Sequence, residues 1–421
     1  MKKSPLGIIF LTIFVSMIGF GIVIPVLPIY AKNDPFKLNP SQLGWLVGIF
    51  SLVQLFSAPF FGKLSDRFGR KPVLLISIVG TAAGYFITGA ASAVWMLFLG
   101  RIIDGASGGN IATAQACIAD TTTPQERTRA MGMIGAAFGL GFMLGPAIGG
   151  VLGHLWTPLP FYFAGALSIL NAVLVMTSLP ETLTKEKRLH HAAAAPLGEV
   201  FAEGRGRFIG LLLIATLVST TGFAFIHLLF ALFCQDHFRY GTRETGYAFA
   251  FVGFLAVLVQ GGLLRRLLKR DGAEKPVALI GALLLALSLW LLPRVPAGGT
   301  GSLLGVLALM ALGNGMLTPT LTGMASRHVH GRAQGRVLGL TASAGSLGRF
   351  LGPLLAALPL PALFSEWPRP LAADQLAAIN AGYSTAFTLS AALIFAAFVF
   401  LLLMKPLEIQ SPGEDTGVAT A

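Results

Sequence analysis

The amino-acid sequence predicts an all-α integral membrane protein, with twelve transmembrane helices in two pseudo-symmetric six-helix bundles. Three observations carry that prediction. The chain is 54% hydrophobic and only 11% charged, against roughly 25% charged residues in an ordinary soluble domain. Its apolar residues gather into segments of about twenty, the length a bilayer demands. And a set of arginine, glycine and proline positions recurs at a constant offset of 207 residues.

The segments of the first half are expected at 6–31, 42–64, 73–92, 94–118, 129–153 and 159–180. Those of the second half are expected at 207–234, 243–268, 275–293, 302–326, 333–357 and 382–404. This divides the chain into an N-terminal bundle (1–180), a polar linker (181–206), a C-terminal bundle (207–405) and a tail (406–421). The linker carries Lys185, Lys187, Arg188, His190 and His191. The first segment follows a basic start but is too long for a signal peptide, and no small-x-small cleavage site follows it, so it reads as an uncleaved span. Residues 358–381 form the longest loop on the opposite side, where EWPRPLAADQL is expected to hold a short surface helix.

Charge sets the orientation. With both termini cytoplasmic, 22 of the 30 Lys and Arg residues lie on the cytoplasmic side, as the positive-inside rule requires. The net charge of +12 could suggest a nucleic-acid partner, but the basic residues sit in short clusters between spans and act as topology determinants. The partners expected are the lipid bilayer, a small-molecule cargo and protons, with no nucleic acid. Cys117 and Cys234 fall near opposite faces and are expected to be free thiols.

The repeat is specific. Arg129, Gly132, Gly141, Gly145 and Pro146 of the fifth span are matched by Arg336, Gly339, Gly348, Gly352 and Pro353 of the eleventh. Six spans separate equivalent positions, so both halves insert in the same direction, around an axis along the membrane normal. Two such halves enclose a central cavity.

Between the second and third spans lies GKLSDRFGRKP, with Arg67, Arg70 and Lys71 beside Asp66. A hydrophilic hairpin with a topology signal accounts for the basic residues, but not for Asp66 or for Gly62 and Gly69. The stretch resembles the corresponding loop of the major facilitator superfamily, G-x-L-[AS]-D-R-x-G-R-[RK], at Gly62, Leu64, Ser65, Asp66, Arg67, Gly69, Arg70 and Lys71. The fifth span resembles that family's drug and proton antiporter motif, G-x8-G-x3-G-P-x2-G-G, through Gly132, Gly141, Gly145, Pro146, Gly149 and Gly150. A generic glycine packing face is the plainer alternative.

In the fourth span, LFLGRIIDGASGG resembles the buried-arginine motif R-x-x-x-G through Arg101 and Gly105. The first span resembles tetracycline-efflux proteins in GFGIVIPVLP. Those proteins carry an aspartate nine residues before the first proline, where this chain has Ser16.

The resemblance implies a monomeric transporter of the bacterial inner membrane. It would need no cofactor and would draw on the proton gradient to export lipophilic or amphipathic molecules by alternating access. It also implies that Asp66, Arg70, Asp120 and Arg129 lock the inner halves together in the outward-open state, with Gly62, Arg67 and Gly69 completing a cytoplasmic gate. The second-half loop, GGLLRRLLKRDGAEK, keeps the basic charge but has no acid at the Asp66 position.

Several intramembrane residues stand out in their own right. Asp104 is deep in its span, where an acid costs about 3 kcal/mol to insert. It lies three residues from Arg101 on one helix face, so the two form either a self-neutralising structural pair or a protonation switch. His227 is either a hydrogen-bonded core residue or a second proton site. Arg349 has no acid in its own span and suits an anionic or zwitterionic cargo. Gln54, Gln115, Asn314, Thr318, Thr322, Thr341 and Ser346 are further candidates to line the cavity, with Phe138, Phe142, Phe223 and Met316. The sequence has no nucleotide-binding P-loop, metal-ligand cluster or Ser-His-Asp pattern. The remaining alternatives are a proton-coupled exporter, an importer or uniporter, and a lipid-flipping protein or intramembrane enzyme. The last would need a catalytic constellation at one depth, and the polar residues are isolated.

Overall fold

The computed structural model describes residues 5–122, 124–183, 205–270, 272–327, 332–360 and 373–404. They form twelve rods. The first half comprises α1 (Pro5–Lys32), α2 (Pro40–Phe68), α3 (Arg70–Gly89), a broken fourth rod α4/α5 (Val94–Ala106, Asn110–Thr121), α6 (Pro124–Leu155) and α7 (Leu159–Ser178). The second begins with the broken rod α8/α9 (Arg205–Ala224, Ile226–Phe238). It continues with α10/α11 (Thr242–Leu258, Leu264–Leu267), joined by a π-turn at Val259–Leu263, and with α12 (Glu274–Leu291), α13 (Thr300–Arg327), α14 (Arg332–Ala357) and α15 (Ala373–Leu403). Among the described residues ten stretches are long and apolar enough to cross a bilayer. The other two rods are the fourth, split into helices of 13 and 12 residues, and the eleventh, diluted by Gly, Ser and Arg349.

Three expectations need correction. GKLSDRFGRKP is not a loop: α2 runs to Phe68, α3 starts at Arg70, and the reversal is the single residue Gly69 at φ 107° and ψ 157°, a region open essentially to glycine alone. The fourth span is not continuous, because helix stops at Ala106 and restarts at Asn110. The last helix begins at Ala373, well before the expected residue 382. The predicted surface helix falls largely on 361–372, outside the described residues, as do 184–204 of the linker and the tail beyond Met404.

The repeat fixes how helices meet. In lipid the tails are as apolar as leucine, so helices associate through close backbone approach. A methyl group added to Gly145 of α6 would lie 2.7 Å from the Ile18 carbonyl oxygen and 2.8 Å from Gly21 Cα in α1. At the repeat position in α14, a methyl on Gly352 would lie 2.6 Å from the Thr221 carbonyl oxygen in α8. The same seam is thus built twice, once inside each half.

Two further seams join the halves, and they lie toward the membrane face opposite Gly69, called here the far face. Gly150 of α6 meets Gly246 of α10, and Gly44 of α2 meets Pro353 of α14. Toward the Gly69 face, added methyls at Gly62, Gly135, Gly261, Gly262, Gly335 and Gly339 would meet nothing within 4 Å. The halves close on each other at the far face and part at the Gly69 face.

A buried ion pair completes the far-face closure. Lys32, the last residue of α1, donates to Asp236 of α9 at 2.8 and 3.1 Å, and the Tyr383 hydroxyl of α15 donates to the same carboxylate at 2.6 Å. The side chains of Lys32 and Asp236 are 0% and 1% exposed. Lys32 lies one residue beyond the first expected segment, 6–31, where a charge would ordinarily belong to a loop. It is instead a link between the two halves, 204 residues from its partner.

Gly145→Ala is expected to lower thermal stability in detergent by about 1–3 kcal/mol through overpacking, whereas Gly62→Ala leaves it unchanged or slightly raised. Equal melting behaviour of the two variants would refute the seam. Removing one partner of a buried ion pair costs about 3–5 kcal/mol. Lys32→Met should therefore open the far face, read as faster labelling of a cysteine at Leu27 by an impermeant maleimide. Lys32→Met/Asp236→Leu should restore protection; labelling at the wild-type rate in Lys32→Met would show that the pair does not hold the closure.

Candidate functional site

Beneath the far-face closure lies a cleft of about 390 Å³ of open space, counting its mouth. Both halves supply its walls. From α1 come Phe20, Val23, Ile24, Leu27 and Pro28, and from α2 Val47, Phe50 and Ser51. Arg101 of α4, His227 of α9 and Arg349 of α14 provide the strongly polar groups. Pro28 lies one helical turn below Lys32, so the ion pair roofs the cleft.

The helix breaks put these groups where they are. At the break in the fourth rod several carbonyls lose their helical donors, and neighbouring side chains replace them, as a membrane interior requires. Ser57 donates to the Gly105 carbonyl at 2.9 Å and Gln54 to the Gly108 carbonyl at 3.3 Å, both from α2, while Ser77 of α3 donates to the Ser107 carbonyl. Gly105 is needed because a methyl there would lie 2.5 Å from the Phe50 carbonyl oxygen. The break at Phe225 places His227 in the first turn of α9.

Arg101 and Asp104 are 5% and 4% exposed. One guanidinium nitrogen of Arg101 donates to Asp104 Oδ2 at 2.9 Å, and the guanidinium lies over the Phe50 ring at 4.6 Å. Its Nε is buried with no hydrogen-bond partner. Arg349 donates to the Ser346 hydroxyl at 2.9 Å. Phe20 packs against Phe50 at 5.6 Å and Phe142 at 5.7 Å between ring centroids, and Phe223 stands edge-on to His227 at 6.2 Å.

Of the expected cavity residues, Arg101, His227 and Arg349 line the cleft, while Phe142 and Phe223 back its lining rings. Gln54 braces the helix break. Asn314 and Thr318 bond each other at 2.9 Å in α13, Gln115 is exposed on α5, and Phe138 packs with a separate apolar cluster around Ile13 and Met17. The break at Phe225 separates Phe223 from His227, and Phe230, in the same helix as His227, packs on Phe249 at 4.8 Å. Ser16 accepts a hydrogen bond from Asn110 at 3.2 Å. A neutral pair thus occupies the place of the first-span acid.

At the Gly69 face, Arg70 bonds Asp66 at 2.6 Å and Asp120 at 2.9 Å. Arg67 lies over Phe68 at 5.3 Å. Glu181, not singled out from sequence, accepts from the backbone N–H groups of Arg70 and Lys71 at 2.9 and 3.2 Å. It caps the start of α3, where a carboxylate is favoured. The partners named here all belong to the first half. Arg129 and Gly132 lie in α6, and their surroundings fall outside what the structure describes. Gly141 and Gly149 carry the α1 seam with Gly145, Pro146 touches Gly21, and Gly150 faces α10.

Lys32, Asp236 and Tyr383 are the structural residues that sequence reasoning missed. One signal was available: Asp236 is a lone acid in an apolar helix, and its repeat position 207 residues earlier is Ile29.

Known proteins share this sequence and arrangement. The chain is 33% identical to the class E tetracycline resistance protein of Escherichia coli, over 84% of its own length and 87% of the relative's. It is 31% identical to Multidrug resistance protein 2 of Bacillus subtilis (strain 168), over 85% and 89% of the two chains. The fold matches that of a bacterial homologue of the human lysosomal transporter Spinster in an inward-facing, unoccupied conformation, with a TM-score of 0.76, 17% identity and 96% of each chain covered. A profile of the Major Facilitator Superfamily matches residues 9–353. The chain is a multi-pass membrane transporter that belongs to the Major Facilitator Superfamily.

Proposed function

We propose that the protein exports amphipathic small molecules of the multidrug or tetracycline-like kind in exchange for protons. It would act as a monomer in a bacterial inner membrane, with both termini cytoplasmic. The observation that carries this is the cleft between the halves, closed at the far face by Lys32–Asp236 and lined by Phe20, Phe50, Arg101 and Arg349. Its aromatic, sparsely polar lining suits lipophilic cargo better than sugars or amino acids. In this orientation the Gly69 face is cytoplasmic, and the conformation is the one that would load cargo from inside. The relatedness to tetracycline and multidrug resistance proteins supports export.

Proton coupling needs a group whose protonation changes a contact. Asp104 is the leading candidate, because protonating it would release Arg101 from its ion pair inside the cleft wall; His227 is the second. Ser16 in place of the first-span acid favours an alternative reading, a facilitative or proton-coupled carrier of an anionic or zwitterionic amphiphile or lipid. The Asp66–Arg70–Asp120 cluster is the proposed cytoplasmic gate, which would meet the second half when the inner faces close.

In inside-out vesicles with an imposed pH gradient, dye accumulation is expected, and Asp104→Asn should reduce it at least tenfold while leaving gradient-independent equilibration intact. Undiminished gradient-driven uptake in Asp104→Asn removes Asp104 from the proton role, and flux insensitive to any gradient makes the protein a uniporter. At the gate, Asp66→Asn should slow cycling more than neutralising any one of Arg265, Arg266 or Arg270, all of which are exposed. Equal tolerance at both loops would refute that asymmetry.

A further inference from the structure

We infer that the cleft binds a monoanionic amphiphile with an aromatic body, its carboxylate or similarly delocalised anion held by Arg349 with Arg101 and His227 beside it. This rests on the cleft being the cargo site and adds the charge and shape of what fills it. Two guanidinium groups line the space, and one carboxylate, Asp104, is close by. That carboxylate is committed to Arg101. Among the described residues Arg349 has no acidic partner; its hydrogen bond goes to a neutral hydroxyl, Ser346 Oγ, which leaves most of the guanidinium donors uncommitted.

A second observation concerns the same wall. Arg101 is 5% exposed, yet its Nε is buried with no hydrogen-bond partner. A buried unsatisfied donor on a charged group is costly, so this wall is short of acceptors for its cations. When the halves close around cargo, Arg349 loses water as well. A cationic cargo would be repelled by it, and a neutral one would leave the charge uncompensated, whereas an anion answers it with planar, bidentate geometry.

The remaining walls select the body of the molecule. Phe20 and Phe50 form a tilted aromatic pair at 5.6 Å, and Arg101 already covers one side of Phe50. Phe20, Val47 and Ile24 leave an apolar shelf on which an aromatic ring can stack. A flexible acyl chain gains less from such a shelf, so the anion is assigned to an aromatic molecule and not to a lipid.

Isothermal titration calorimetry on the purified full chain, with a matched series of ligands, tests this. 2-Naphthylacetate is expected to bind at least tenfold tighter than 2-naphthylacetamide or 2-(2-naphthyl)ethylammonium, and tighter than dodecanoate. R349Q should bring acid and amide to within about twofold of each other. R349K, which keeps the charge and serves if R349Q melts early, should keep part of the preference. An amide or amine that binds wild type as tightly as the acid overturns the inference, as does an acid preference unchanged in R349Q. Dodecanoate binding more tightly than naphthylacetate overturns the aromatic assignment. The titration needs no gradient. A chain that binds the acid but exports nothing overturns the export proposal alone, and a working exporter whose R349Q variant retains the wild-type preference overturns this one alone.

Discussion

A charge withdrawn from water inside a bilayer has to be answered by another charge or by a dense set of hydrogen bonds, and that constraint organises this molecule. Lys32 and Asp236 answer each other across the two halves, with Tyr383 supplying the third hydrogen bond. Arg101 and Asp104 answer each other within one helix. The first pair makes the closed far face a discrete state, because parting the halves exposes both charges to water at once and leaves no partly opened arrangement in which either is satisfied. The second pair gives the cleft wall a charge balance that one proton could upset. Among the described residues Arg349 has only Ser346, so the same constraint turns it outward, toward whatever enters.

Helix packing obeys a related restriction. Apolar contact alone barely distinguishes a neighbouring helix from lipid, so the seams are made where backbones touch. Gly145 on Gly21, and Gly352 on Thr221 and Ala224, hold α1 to α6 and α8 to α14 through contacts that admit no side chain. Such seams resist sliding and keep each half rigid. The seams that join the halves, Gly150 to Gly246 and Gly44 to Pro353, lie toward one face only. Rigid halves joined at one face can rock about that contact, which is the motion alternating access requires.

The sequence made the architecture legible because its signals are local or periodic: span length, the 207-residue offset, and the Gly62–Lys71 pattern. Arg101 and Asp104 were legible for the same reason, since three residues along a helix puts them on one face. Lys32–Asp236 was not, because nothing near either residue in the chain names its partner 204 residues away. The break at Ser107–Gly109 was also hidden. An apolar, glycine-rich stretch reads as a span, and only its neighbours show that Gln54, Ser57 and Ser77 take up the freed carbonyls. At Gly69 the opposite error arose. Charge density suggested a loop, whereas one residue with a glycine-only conformation lets both helices run almost into each other.

The two faces consequently close by different chemistry. At the far face the closing pair joins the halves directly and is fully desolvated, so breaking it leaves two uncompensated charges and closure is all-or-none. At the Gly69 face Arg70 is held by Asp66 and Asp120 of its own half, and Glu181 pins the start of α3 beneath them. Asp66 keeps 42% of its side chain exposed. A carboxylate so placed stays hydrated while the inner faces are apart and becomes desolvated when they meet, so its effect on closure depends on the donors it meets there. On the gating proposal, closure of the inner face is therefore conditional where closure of the outer face is not. A carrier with that asymmetry rests open to the cytoplasm and turns outward when something in the cleft offsets the loss of Lys32–Asp236. On the cargo proposal, an anion on Arg349 would lie in the cleft beneath that pair, and it is the group proposed to do so.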